Sequence, residues 1–163
     1  MTTGKTDRDR LPVLRQRALT TSQVTRQALS EIEVSTRGAG MEDITERVRG
    51  FVGESDVTDG LLTLFLRHTS ASLLIQENAD PDVQADLERF FARLAPWDPT
   101  LYRHAAEGAD DMPAHIRTAL TQTSLSIPVA GGRPVLGTWQ GVYLYEHRER
   151  PHRRHIVLHL MGA

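Results

Sequence analysis

Leu125-Ser126-Ile127-Pro128-Val129-Ala130-Gly131-Gly132 places apolar residues at every second position and then breaks on a glycine pair. Period-two alternation is the mark of a half-buried strand, and two adjacent glycines suit the tight turn of a hairpin. Further strands are expected at 135–136, 142–146 and 155–161, so the second half of the chain is a run of strands joined by short turns. Upstream, strands and helices interleave. Together these patterns predict an α+β single domain with a mixed, largely antiparallel sheet and flanking helices, rather than a doubly wound parallel sheet.

Working back toward the N-terminus, Ile32 and Val34 alternate with Glu31, Glu33 and Ser35, which predicts a strand broken by Gly38 and Gly40. Ile44, Val48, Phe51 and Val52 recur at helical spacing and predict a helix over about 42–52. Residues 61–68 form an apolar strand expected to be covered on both faces, with His68 on the same face as Leu62, Leu64 and Leu66. Residues 72–75 continue it or form a second strand. Asp80-Pro81 is a strong helix start, leading into an apolar face of Val83, Leu87, Phe90, Phe91 and Leu94 that Pro96 ends. After an irregular segment over 97–110, Asp111-Met112-Pro113 starts another helix with Asp111 as its cap and Ile116, Ala119 and Leu120 on its apolar side. Residues 1–22 read as an extension without sustained periodicity, and 23–163 as the domain.

A chain of 163 residues with 39% apolar and 25% charged content is sized for one domain. A net charge of −2 gives no global reason to expect nucleic acid. The absence of cysteine excludes disulfides, thiolate metal sites and a cysteine nucleophile, leaving His, Asp and Glu to hold any divalent ion, with zinc, magnesium or manganese the best match. No apolar run approaches the roughly 20 residues of a membrane span, and the first residues lack the apolar stretch of a secretory signal. A cytoplasmic protein without a membrane partner is the simplest expectation. No glycine-rich nucleotide-binding loop is present.

Three segments carry candidate chemistry. In Arg67-His68-Thr69-Ser70-Ala71-Ser72, hydroxyls beside an imidazole could cradle a phosphate, orient water or supply a nucleophile with its base; the alternative is hydroxyls bonded to local backbone. His104, Glu107, Asp110, Asp111 and His115 share a short stretch that suits a divalent cation or a solvated acidic loop. In Gly137-Thr138-Trp139-Gln140-Gly141, Trp139 is expected to anchor the turn before the strand. At the far end of that strand, alternation puts Glu146 and His147 on opposite faces, so one ion cannot take both. His147 is the expected ligand and Glu146 an acid/base group. Arg148, Arg150, Arg153 and Arg154 crowd the next turn and suit phosphate, or are simply solvated. His155 and His159 are about 13 Å apart along a strand and cannot share an ion within one subunit.

The ordered motifs His68-Thr69-Ser70-Ala71-Ser72, Glu77-Asn78-Ala79-Asp80-Pro81, Glu107 to His115, and Gly137-Thr138-Trp139-Gln140-Gly141 followed by Glu146-His147-Arg148 resemble the YjbQ-like family. That family is also labelled secondary thiamine-phosphate synthase. The resemblance covers the chain from about Ile32 onward. It implies an α+β fold, a homotrimer with sites near subunit boundaries, and a polar set of His68, Ser70, His104, Asp111, His115, Gln140, Glu146, His147 and Arg148. Its label implies joining a pyrimidine pyrophosphate to a thiazole phosphate with loss of pyrophosphate. The resulting expectation is a metal-dependent enzyme acting on a phosphorylated small molecule. His104, His115 and His147 would hold the metal, and His68 and Glu146 would move protons. Thr69, Ser70, Gln140, Arg148 and Asp111 would bind substrate. A metal-assisted hydrolase and a non-catalytic metal- or ligand-binding trimer are the alternatives.

Overall fold

The computed structural model describes residues 21–163, so all but the last two residues of the expected N-terminal extension lie outside the described part. The elements run β1 (Arg26–Ser35), β2 (Gly40–Asp43), α1 (Thr45–Glu54), β3 (Gly60–Leu66), β4 (Ala71–Glu77), α2 (Pro81–Leu94), α3 (Asp111–Leu120), β5 (Ser124–Ala130), β6 (Arg133–Pro134), β7 (Gln140–Glu146) and β8 (Arg153–Gly162). The α+β single domain is as expected. Its strands, however, form two sheets, β1-β8-β3-β5-β6 and β2-β7-β4, rather than one mixed sheet. Every strand pair among the described residues is antiparallel. The chain changes sheet between Leu66 and Ala71, which places the His68-Thr69-Ser70 segment on the rim where the sheets part.

The two sheets face one another across an apolar layer. Leu62, Leu64, Leu66, Ile127, Ile156, Leu158 and Leu160 on one side meet Ala71, Leu73, Val142 and Leu144 on the other, and Val48 and Val52 of α1 belong to the same core. Each such aliphatic side chain contributes about 1.5–3 kcal/mol by leaving water. The hairpin forms as the sequence predicts. Ala130 pairs with Arg133 across Gly131 and Gly132, whose φ values of 57° and 70° are readily reached by glycine.

Several expectations need correction. Residues 61–68 are not covered on both faces: Leu61 and Phe65 are 42% and 50% exposed, because only the even positions point at the second sheet. The helix expected over 42–52 begins at Thr45, where the Asp43 carboxylate accepts the Thr45 N–H at 2.8 Å. The residues before it form β2, a strand too short and polar to announce itself. Asp80 does cap α2, accepting the Asp82 N–H at 2.9 Å, but Phe90 and Leu94 on its expected apolar face are half exposed. In α3 the cap position is Asp110. The buried side is Pro113, Ala114, Arg117 and Thr118, while Ala119 and Leu120 face outward. Trp139, expected to anchor its turn, is 65% exposed.

Gly60 begins β3 where the end of β8 crosses it, and a Cβ built there would overlap the Met161 carbonyl oxygen. Both neighbours are backbone held in a ladder, so neither can step aside. Gly60→Ala is expected to lower stability by about 1–3 kcal/mol in urea unfolding, the usual cost of forcing atoms into a filled space.

Candidate functional site

The start of α3 and the loop before it bring His104, Asp111 and His115 together, with one ligand-type atom of each within 4.8 Å of the others. Asp111 and His115 are four residues apart on the helix and therefore share a face. His104 reaches them from the irregular segment. Asp111 Oδ2 is 2.7 Å from His104 Nε2 and 3.3 Å from His115 Nε2.

The tautomer of His115 follows from its other nitrogen. Nδ1 is 2.9 Å from the Thr69 carbonyl oxygen, which can only accept, so Nδ1 carries the proton. Nε2 is then the ring atom that faces the Asp111 carboxylate. At 3.3 Å the two atoms are close enough for a proton or a metal ion to bridge them. Ligands about 2.0–2.2 Å from a tetrahedral zinc stand roughly 3.3 Å from one another, which the His115–Asp111 spacing matches. His104, at 2.7 Å, is hydrogen-bonded to Asp111 and would move outward by about 0.6 Å to join it on an ion. A backbone carbonyl on the second nitrogen of a ligating histidine is the usual outer support of such a site. The donor set of two imidazoles and a carboxylate therefore fits a divalent metal.

Arg148, at the end of β7, fixes the carboxylates. Its Nε donates to Asp110 Oδ2 at 2.9 Å, Nη1 donates to Asp111 Oδ1, and Nη2 donates to the Glu107 carbonyl at 2.7 Å. Its donors are committed within the chain, so Arg148 sets the direction of Asp111 rather than standing free for a substrate phosphate. Burial raises the Asp110 pKa, but the Glu149 N–H and Arg148 outweigh it and hold the carboxyl below its ordinary value.

An open groove of about 800 Å³ adjoins the cluster, and His115 lines it together with Arg67, His68, Thr69 and Thr118. The His155 N–H donates to His68 Nε2 at 2.9 Å, which leaves Nδ1–H as the free edge of the neutral ring. Burial, then the charge of Arg154, lowers the His68 pKa and favours that neutral form. Thr69 lines the groove and gives its carbonyl to His115. Ser70 Oγ accepts from Arg154 Nη2 at 3.1 Å.

The structure separates Glu146 and His147 as alternation requires, and brings neither into the cluster. Glu146 is fully buried. Its carboxylate accepts both Arg154 Nε, at 2.7 Å, and Nη2, together with Thr36 Oγ1 and the N–H groups of His147 and Arg148. Burial raises its pKa, but Arg154 and these donors more than reverse that, so it stays ionised and occupied. His147 is also fully buried on the opposite face, with Nε2 2.9 Å from Ser72 Oγ. The three-residue cluster takes Asp111 where the sequence reading had His147, because the His147 ring is buried against Tyr145 and Ser72 and turned away from the loop that reaches Arg148. Gln140 begins β7 and its Oε1 accepts the Gly137 N–H, so a seven-residue strand, roughly 20 Å long, separates it from Arg148.

Sequence reading missed Arg154 and Thr36 as partners of Glu146 and the outer role of Asp110. It also read Asp111 as a cap and substrate contact, although the Asp-x-x-x-His spacing at a helix start already placed it beside His115.

The chain matches the profile of the family described as UPF0047 protein YjbQ-like over residues 30–163. It is 54% identical over 137 residues to the UPF0047 protein of Synechocystis, covering 84% of this chain and 93% of that one. The UPF0047 protein YjbQ of Escherichia coli O157:H7 is 45% identical over 132 residues, 80% of this chain and 95% of its own. Among solved structures, a conserved hypothetical protein of Thermus thermophilus superposes with a TM-score of 0.71 at 36% identity, covering 79% of this chain and 97% of that one. A hypothetical protein of Aeropyrum pernix superposes with a TM-score of 0.75 at 29% identity, covering 83% and 99%. No helix among the described residues is long and apolar enough to cross a membrane.

Proposed function

The chain belongs to the YjbQ-like UPF0047 family, and from the geometry of its His104–Asp111–His115 cluster we propose a metal-dependent enzyme acting on a phosphorylated small molecule. The observation that carries the reading is the convergence of His104, Asp111 and His115, with the His115 ring held by the Thr69 carbonyl beside an open groove. Two imidazoles and a carboxylate suit zinc or manganese better than magnesium, which prefers oxygen ligands. A bound divalent ion supplies Lewis-acid charge for a developing anion. The protein's own residues do the rest. Arg67, which is paired with Glu31, and Thr69 line the groove where phosphate oxygens would sit, and His68 offers a neutral imidazole edge for proton transfer. Glu146 acts through Arg154, which holds Ser70 and with it the turn carrying the Thr69 carbonyl.

Thiamine-phosphate synthesis is the most specific version of this proposal, supported by the family resemblance. Metal-assisted hydrolysis of a phosphorylated substrate is the second reading, favoured by a donor set of three residues that leaves coordination positions free. Assembly as a homotrimer is part of the proposal. It is supported by the apolar residues Leu61, Phe65 and Met161, which the five-stranded sheet leaves exposed on its outer face, and sedimentation in solution would measure it.

The test is metal binding by the full chain after chelation. Zinc or manganese at 100 times its Kd is expected to add about 2.7 kcal/mol of stability, read as a rise in Tm. Asp111→Asn and His104→Ala should abolish that rise, and His147→Gln should keep it. If no divalent ion raises the Tm of the parent protein, the metal reading fails. Growth of a thiamine auxotroph carrying the parent but not Asp111→Asn would support the specific version, and equal growth with both would overturn it.

A further inference from the structure

Of the three helices among the described residues, α1 buries three residues and α3 buries five, but the 14-residue α2 buries none. One side of α2 does rest on its own chain. The Phe91 ring stands edge-on to Tyr145 of β7 with centroids 5.9 Å apart, and Gln84 and Glu88 lie beside Tyr143 and Tyr145. The flank next to that side carries Val83, Leu87, Phe90 and Leu94, whose spacing aligns them along the helix. Val83 and Leu87 are partly covered, and Phe90 and Leu94 are half exposed. An apolar stripe about 17 Å long left open to water marks a contact surface rather than a solvated face.

A charged stripe runs beside it, one residue earlier at each step: Asp82, Asp86, Arg89 and Arg93, all exposed. The acids occupy the N-terminal half and the bases the C-terminal half, with Asp86 and Arg89 also paired within the helix. This order suits the helix dipole. It also makes the flank complementary to itself when read backwards. Two copies of α2 laid antiparallel set Val83 opposite the partner's Leu94 and Leu87 opposite the partner's Phe90, because both pairs share a centre between Glu88 and Arg89. Asp82 and Asp86 then face the partner's Arg93 and the partner's Arg89 along one side of the contact. A parallel pair would set acid on acid and base on base, which is unfavourable.

We propose that α2 pairs with the α2 of a second copy of this chain, antiparallel across a two-fold axis. Each residue of such a contact meets its match twice, as a two-fold interface requires. Because α2 lies on β7 of the three-stranded sheet, the contact leaves the outer face of the five-stranded sheet free. It therefore adds to a trimer built on that face, and three helix pairs would join two trimers. One helix pair is small for an interface, and three closing together supply the area of a stable assembly.

Sedimentation equilibrium of the full chain is expected to give an even number of copies. Phe90→Glu should halve the molar mass, weakening the contact by at least about tenfold by placing an unpaired charge at its centre. Arg93→Asp, which sets an acid against the partner's Asp82 twice per contact, should also lower the mass. Adding Asp82→Arg to it should restore the parent mass, since the swapped charges match again. All three side chains are exposed, so the variants should keep the parent's far-ultraviolet circular dichroism. Two or six copies in the parent support the contact, the first without the trimer. An odd number of copies in the parent, an unchanged mass for Phe90→Glu, or a double charge variant no better associated than Arg93→Asp would each overturn it.

Discussion

Glu146→Ala is expected to lower stability by about 3–5 kcal/mol, because it leaves the Arg154 guanidinium buried without its counter-charge. The pair lies between the sheets at the end of the core, and both residues are almost wholly shielded from water. Domains of this kind have about 5–15 kcal/mol in total, so the variant would lose a large part of its folded margin. Urea unfolding measures it as a fall in midpoint at unchanged slope. The double variant Glu146→Leu with Arg154→Met should recover most of the loss, since two matched apolar side chains replace two charges. If Glu146→Ala costs less than about 1 kcal/mol, water reaches Arg154 and the pair is not the buried one described. The double variant has a second use. It releases Ser70, so a folded protein with weakened metal binding would show that Arg154 positions the Thr69 carbonyl behind His115.

Stability is also expected to fall by about 2 kcal/mol between pH 7 and pH 5 through His147 alone. Burial, reinforced by the charge of Arg117, lowers its pKa from 6.5 to about 3. The unfolded chain therefore takes up a proton below pH 6.5 that the folded protein refuses. Stability is complete above that point and is lost progressively as the pH falls toward 3. Glu146 and Asp110, held below their ordinary values, add losses of the same sign only at lower pH, where their unfolded forms begin to protonate. His68 is lowered too and contributes in the same window. Comparing the parent with His147→Gln isolates the one residue: the difference between pH 7 and pH 5 should shrink by about 2 kcal/mol. An unchanged slope would mean that His147 is solvated well enough to accept a proton in place.

The strands were legible where one face is apolar and the other is not. The alternation around Leu125, Ile127 and Val129 and the glycine pair after it describe the hairpin correctly, and the Asp80-Pro81 start of α2 is equally local. What sequence does not carry is partnership between distant segments. Nothing in Leu61-Leu62-Thr63-Leu64 says that β3 stops pairing with β4 and divides the fold into two sheets. Gly40-Met41-Glu42-Asp43 has no alternation, because β2 is held by backbone bonds to β7 rather than by an apolar face. The site follows the same rule. The opposite facing of Glu146 and His147 came from strand geometry, and helix geometry, had it been applied to Asp111, would have set it beside His115. His104 joins them only through a loop whose path no periodicity encodes. The Glu146–Arg154 pair was not legible: Glu146 read as an acid/base group and Arg154 as one of a cluster of arginines suited to phosphate, and the Thr36 hydroxyl that also bonds Glu146 lies 110 residues away in the chain.

The place of β8 between β1 and β3 has a consequence for how the protein is made. β1 pairs along its whole length, Arg26 to Ser35, with a strand that ends at Gly162. During synthesis the ribosome therefore releases β1 and β3 long before either has its partner, and both wait with open hydrogen-bonding edges. The five-stranded sheet closes only once β8 has left the exit tunnel, whereas its β3–β5–β6 edge can pair earlier. A nascent chain stalled after β7 would hold both halves of its largest sheet apart and would depend on chaperones to keep those edges from pairing with another molecule.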